Sequence, residues 1–171
     1  MSDSCPHNAI WDDGEWVSWT EITSHLERLE LEAQYPNANI DLIPLFNDML
    51  ELAQCYHLQT GKHLSIYGDI GELFGAIHFG IKLHKDRAKG SDGRIGDDFI
   101  EIKTITPFSK SQTKTLRMDR HFSKVLLVLI DEDFEVFGRL MDRKQIAKKG
   151  QTRVYLEWSS VKDIPGTTIR V

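Results

Sequence analysis

Apolar residues change their spacing along this chain near residue 91. Before that point they recur at helical intervals. Ile22, Leu26 and Leu29 fall near a 3.6-residue period and predict a helix over 18–34. Tyr35 to Asn39 reads as a turn cluster. Asp41 stands where it can cap a second helix, with Pro44 still in the first turn. Leu42, Leu45, Met49, Leu52 and Tyr56 form the stripe of that helix, which should stop near Gly61. Ile70, Leu73, Phe74, Ile77 and Ile81 predict a third helix over 69–81. Its glycines Gly71, Gly75 and Gly80 weaken it by propensity. Glycine is useful in a helix where another backbone must come close.

From about Ser91 onward the period is that of strands. Lys124 to Ile130 is a continuous apolar run, as expected of a strand buried on both faces. Asp131 to Asp133 reads as a turn, and Phe134 to Leu140 as an alternating strand. Asp142 to Gly150 has the start and stop of a short helix, and Arg153 to Trp158 reads as a further strand. Residues 1–16 read as irregular chain.

Composition narrows the class. The 171 residues, 40% hydrophobic and 27% charged, fit one globular domain with a core that needs no disulfides. The longest apolar stretch, Val125 to Ile130, is too short to span a bilayer, so no membrane partner is expected. The start lacks a basic segment followed by an apolar one, and a cytoplasmic location is the expectation. Cys5 with His7 and Cys55 with His57 are each half a metal site at most, and structural zinc wants four ligands. The formal net charge of -5 argues against a nucleic-acid partner, but its distribution changes the picture. Residues 1–60 hold eleven acids and one base, whereas residues 82–124 hold eleven bases and six acids.

The stretch Lys89 to Thr104 carries the chemistry. Gly96-Asp97 fits a two-residue hairpin loop. Counting outward, Ile95 faces Asp98, Arg94 faces Phe99, Gly93 faces Ile100, and Asp92 faces Glu101. Opposed residues share a face, and Lys103 joins Glu101 by the two-residue period. One face thus gathers two carboxylates and an ammonium, while Ile100 and Ile102 point to the other. Two opposed carboxylates repel unless a cation lies between them. Mg²⁺ is held by one or two carboxylates with waters and phosphates, and a nearby lysine can stabilise a developing phosphate charge. The set suits metal-assisted hydrolysis of a phosphodiester.

This stretch resembles the signature of the PD-(D/E)XK nuclease superfamily, firmly over 68–104 and more loosely to Leu140. The resemblance implies an α/β (α+β) fold with an α-β-β-β-α-β core around a central mixed sheet, as in restriction endonucleases. Residues 63–171 would form that core and residues 1–62 a helical extension packed on it. Asp92 would be the first acid, Glu101 the second and Lys103 the lysine, with the carbonyl of Ile102 as a further metal ligand. Glu72 matches the helical glutamate that many members add; Asp69-x-x-Glu72 also reads as a capping-box variant. Mg²⁺ or Mn²⁺ would be the cofactor, and nucleic acid, DNA before RNA, the substrate. Many relatives cut as homodimers. Ser91 precedes Asp92 where the family favours Pro, and the interval from Asp92 to Glu101 is short.

Other residues stay open. Lys110, Lys114, Arg117, Arg120 and Lys124 read either as phosphate-positioning groups or as a solvated loop. Asp97 and Asp98 read as turn residues, and His78, His84 and His121 as helix-surface or loop histidines. A catalytically inactive module of the same fold, binding nucleic acid or a protein partner, is the alternative to the nuclease.

Overall fold

In a computed structural model describing residues 8–36, 38–85, 90–147, 150–162 and 169–170, the first segment is ordered as a hairpin. Strand β1 (Ala9–Asp12) pairs with β2 (Glu15–Ser18) through Asp13-Gly14, and Trp11 faces Trp16. Asp-Gly supplies the positive φ that such a turn demands, at 40° and 102°. The irregular reading of residues 1–16 is therefore corrected for 9–18. Helix α1 (Trp19–Gln34) follows, with Ser18 and Glu21 closing a capping box. These elements form one compact unit, residues 1–36. Cys5 and His7 lie outside the described residues.

The second unit, residues 37–171, holds the sheet. The division expected at residue 62 falls inside it, because α2 (Leu42–Thr60) belongs with α3 (Tyr67–Phe79) in this unit. Asp41 makes no side-chain cap bond to α2, and Gly61 ends the helix in the left-handed region at φ 66°. α3 begins at Tyr67 after an N-cap Ile66 without a side-chain cap, so the Asp69-x-x-Glu72 capping box does not form.

Then come β3 (Lys82–Leu83), β4 (Gly93–Ile95), β5 (Asp98–Ile105), β6 (Thr113–Arg117), β7 (Lys124–Ile130), β8 (Val136–Asp142), α4 (Arg143–Ile146), β9 (Arg153–Glu157) and β10 (Ile169–Arg170). The main sheet has the order β10-β8-β7-β5-β4-β3 and is mixed: β5 and β7 run parallel, and its other pairs are antiparallel. The molecule is thus of the mixed α and β class, with four helices among the described residues. Parallel neighbours need a crossover, usually helical. Here the crossover from β5 to β7 carries β6 where the resemblance implies a helix. Residues 106–123 lack a 3.6-residue apolar period, and Thr113 and Thr115 favour an extended chain. The helix expected over 142–150 is only four residues long as α4.

Both faces of β5 and β7 are covered. α3 lies against one face because two of its glycines let it approach: a Cβ on Gly71 would stand 2.0 Å from Thr104 Oγ1, and one on Gly75 would stand 2.9 Å from Leu126. On the other face the ribbon β6–β9 packs Leu116, Val154 and Leu156 against Ile105, Val125, Leu127, Leu129 and Met141. Each such burial is worth about 1.5–3 kcal/mol, which makes these layers a rigid support for whatever β5 displays.

Candidate functional site

The expected hairpin register is the observed one: Ile95 opposes Asp98, Arg94 opposes Phe99 and Gly93 opposes Ile100. Ile100, Ile102 and Thr104 therefore face α3, and Phe99, Glu101, Lys103 and Ile105 face the ribbon side. The ribbon covers Ile105 but leaves the start of β5 to the loop over 118–123.

Glu101 is the focus of this region. It is only 1% exposed. Its Oε1 accepts from Lys103 Nζ at 2.6 Å and from Arg120 Nη1 at 2.7 Å. Its Oε2 is buried and has no hydrogen-bond partner among the described residues. Leaving a buried polar atom unpaired costs about 1–3 kcal/mol, and more for a charged one. A water or a cation bound there would relieve that cost.

Asp92 stands just before β4, on the strand beside β5. Its amide donates to the Ile100 carbonyl at 2.9 Å, and its Oδ2 accepts from the Ile102 amide at 2.6 Å. The N–H and C=O of one strand residue leave the same edge, so the Ile102 carbonyl emerges on the side of Asp92. That carbonyl accepts from Lys103 Nζ at 3.1 Å. Glu72 sits half-buried on α3, the helix that covers the opposite face of β5.

The five basic residues of the following segment part ways. Lys114 shares the inward face of β6 with Leu116; burial, and secondarily the charge of Lys103, hold its ammonium below the ordinary range. Arg120 reaches Glu101. Arg117 instead grips Asp119, at 2.6 and 3.1 Å, on the exposed side. Lys124 lies on the α3 face of the sheet, where it donates to Asp98 at 2.5 Å, and that bond keeps the Asp98 carboxyl below its usual range. Asp98 is thus the first residue of β5 and an ion-pair partner rather than a turn residue, whereas Asp97 remains in the turn. Lys110 is exposed ahead of β6.

One important residue has no local signature in the sequence. Arg143 donates to the carbonyls of Met118, Arg120 and Phe122 at 2.5, 2.9 and 3.1 Å, with its guanidinium 4.5 Å from the Phe122 ring centre. It fixes the loop that carries Arg120. The three acceptors lie at least 21 residues earlier in the chain, so no spacing rule links them.

His78 packs on the Phe74 and Phe46 rings, and burial lowers its pKa to about 4. His57 stacks on His63 and Phe108, and Cys55 is an exposed free thiol. Among the described residues, no three His, Cys, Asp or Glu side chains are grouped to hold a metal. Any ion at Glu101 would rely on two carboxylates, a backbone oxygen and water. Among the described residues, no helix is long and apolar enough to cross a membrane. No family model matches the chain, and no curated protein is significantly similar to it in sequence.

Proposed function

We propose that this chain is a metal-dependent nuclease of restriction-endonuclease-like fold that hydrolyses phosphodiester bonds, with DNA favoured over RNA. The observation that carries the reading is Glu101: a buried carboxylate with one oxygen held by two cations and the other without a donor among the described residues. The chain order supports it as well, since α3 is followed by the meander β3, β4 and β5 and then by the parallel strand β7.

The residues suit Mg²⁺ or Mn²⁺. Glu101 Oε2 has no partner among the described residues, Asp92 is a carboxylate just before the adjoining strand β4, and the Ile102 carbonyl shares its edge. Mg²⁺ accepts such a sparse protein set because it keeps waters and substrate oxygens as ligands. When bound, such an ion polarises a phosphoryl oxygen and supplies a nucleophilic water. Lys103 would hold the charge that builds on the phosphate in the transition state. Arg120 and Lys114 would draw the anionic backbone to the same end of the sheet. Glu72 would adjust the site from the far side of β5.

The test is a cleavage assay on single-stranded DNA, duplex DNA and RNA, with and without Mg²⁺ or Mn²⁺, comparing the wild type with Lys103→Ala and Glu101→Ala. Metal-dependent cleavage lost in both variants supports the nuclease. Cleavage that survives both belongs to another site. No cleavage by the wild type favours the second reading, a non-catalytic module that binds nucleic acid or a protein partner. The hydrogen bonds of Lys103 and Arg120 to Glu101 support that reading, since they balance its charge without an ion.

A further inference from the structure

The face of β5 that carries Glu101 and Lys103 begins with an aromatic residue. Phe99 lies two positions before Glu101, on the same side of the sheet, and is 37% exposed. His121 stands edge-on to it, with ring centres 4.8 Å apart, and the His84 ring centre lies 6.2 Å away. The rings are held in place. Ser123 donates from its amide to the Phe99 carbonyl at 2.8 Å, which ties the His121 loop to the start of β5. Arg143 holds the same loop through three carbonyls. His84 is fixed by its amide, which donates to the Asp92 carbonyl at 2.9 Å.

Cations also stand near these rings. Arg94 is opposite Phe99 on β4 and exposed, with no ion-pair partner among the described residues. Arg120 adjoins His121 in sequence, and Lys103 lies four residues along β5. An exposed ring flanked by cations matches how single-stranded nucleic acid is held, with bases stacked on aromatic faces and the backbone in a basic groove. Another exposed ring cluster, Phe108 on His57, borders a cavity lined by Asp131, Glu132 and Asp133, whose charges would repel a phosphate backbone.

We infer that Phe99, with His121 and His84 beside it, is a stacking site for an unpaired nucleobase, placed so that the adjoining phosphate lies toward Glu101 and Lys103. The inference rests on the nuclease reading for the role of that phosphate, but base stacking needs no cleavage and is measured without metal. It makes the preferred substrate a single strand or a frayed end. In an intact duplex the bases are already stacked on each other and cannot offer a face to Phe99.

The experiment measures binding by fluorescence anisotropy in EDTA, to an oligothymidylate of about 15 nucleotides and to a hairpin duplex, over a series of salt concentrations. Phe99→Ala should bind the single strand roughly 5- to 150-fold more weakly, the usual effect of losing one stacked base. Its salt dependence should be unchanged, because no phosphate contact is removed. Duplex binding should be nearly unaffected. Phe99→Trp should keep single-strand affinity, and its indole fluorescence should be quenched by the oligonucleotide. Tyr155→Ala, which removes an exposed ring on β9, should change neither. If Phe99→Ala fails to fold, Phe99→Leu keeps the apolar bulk without the flat ring and is expected to show the same loss. Equal affinity of Phe99→Ala or Phe99→Leu and wild type for the single strand, an equal loss on duplex, or no single-strand binding by the wild type would overturn the inference. A protein that stacks a base at Phe99 yet cuts nothing would retain this site and lose the nuclease reading.

Discussion

Lys103 reaches Glu101 and the Ile102 carbonyl from a position that is still partly open to solvent. Lys103→Ala therefore leaves no apolar cavity and should fold normally. Its cleavage rate should fall about 10²–10³-fold, the usual effect of one electrostatic contact to a transition state. The loss should appear in turnover more than in substrate affinity. Excess Mn²⁺ should restore part of the activity of Glu101→Ala and none of that of Lys103→Ala. His78 gives a prediction that does not involve the nuclease reading. Its folded pKa, about 4, lies below its unfolded value of 6.5 because burial disfavours the charged ring. Between those values the unfolded chain takes up a proton that the folded one refuses, so stability is lost as pH falls through that window. Urea midpoints should drop between pH 6.5 and about 5, and His78→Leu should flatten that slope. The positions of Glu101 and Lys103 were legible because a two-residue period sorts side chains by face without knowledge of the fold. Arg143 was not legible, because its acceptors are distant in sequence.

Helix α3 is held to the sheet by missing side chains. Gly138 on β8 makes room for Phe74, and a Cβ there would stand 2.4 Å from the Phe74 ring. Phe74 is fully buried and has nowhere to go. Gly138→Ala should therefore lower stability by about 1–3 kcal/mol, as overpacking does, read as a shift of the urea midpoint at unchanged slope. The three glycines of the α3 region were visible in the sequence as an oddity for a helix. Which of them touch the sheet was not, since that depends on the face α3 presents. The hairpin β1–β2 was legible in principle: Asp13-Gly14 between alternating residues is a strong turn signal that the neighbouring Asp12 and Glu15 obscured. Strand β6 was hidden for another reason. It lies in neither the main sheet nor a helix, and its inward residues, Lys114 and Leu116, give too short an alternation to stand out.

At the scale of the molecule, charge separates along the chain, with acids gathered before residue 60 and bases over 82–124. The structure divides those bases further. Arg117 and Lys124 pair with Asp119 and Asp98 away from the site, whereas Lys103 and Arg120 pair with Glu101 and Lys114 stands near Lys103. Binding to nucleic acid should weaken with salt, and removing one phosphate contact should reduce the slope by about 0.7–0.9. Arg120→Ala should show that reduction and Arg117→Ala should not, measured by anisotropy over a salt series. Equal slopes for the two variants would mean that the segment acts as a diffuse basic surface.

By itself the sequence determined the order of helices and strands where apolar periods were long, the buried strand over 124–130, and the hairpin register that sets Glu101 and Lys103 on one face of β5. Those follow from periodicity, which is a local property of the chain. Only the tertiary structure decided that Glu101 is buried with one oxygen unpartnered among the described residues, that Arg120 reaches it across 19 residues while Lys124 turns to Asp98 on the other face, and that a strand fills the crossover from β5 to β7. Burial, charge pairing and layer order depend on contacts between distant segments, and no local period encodes them.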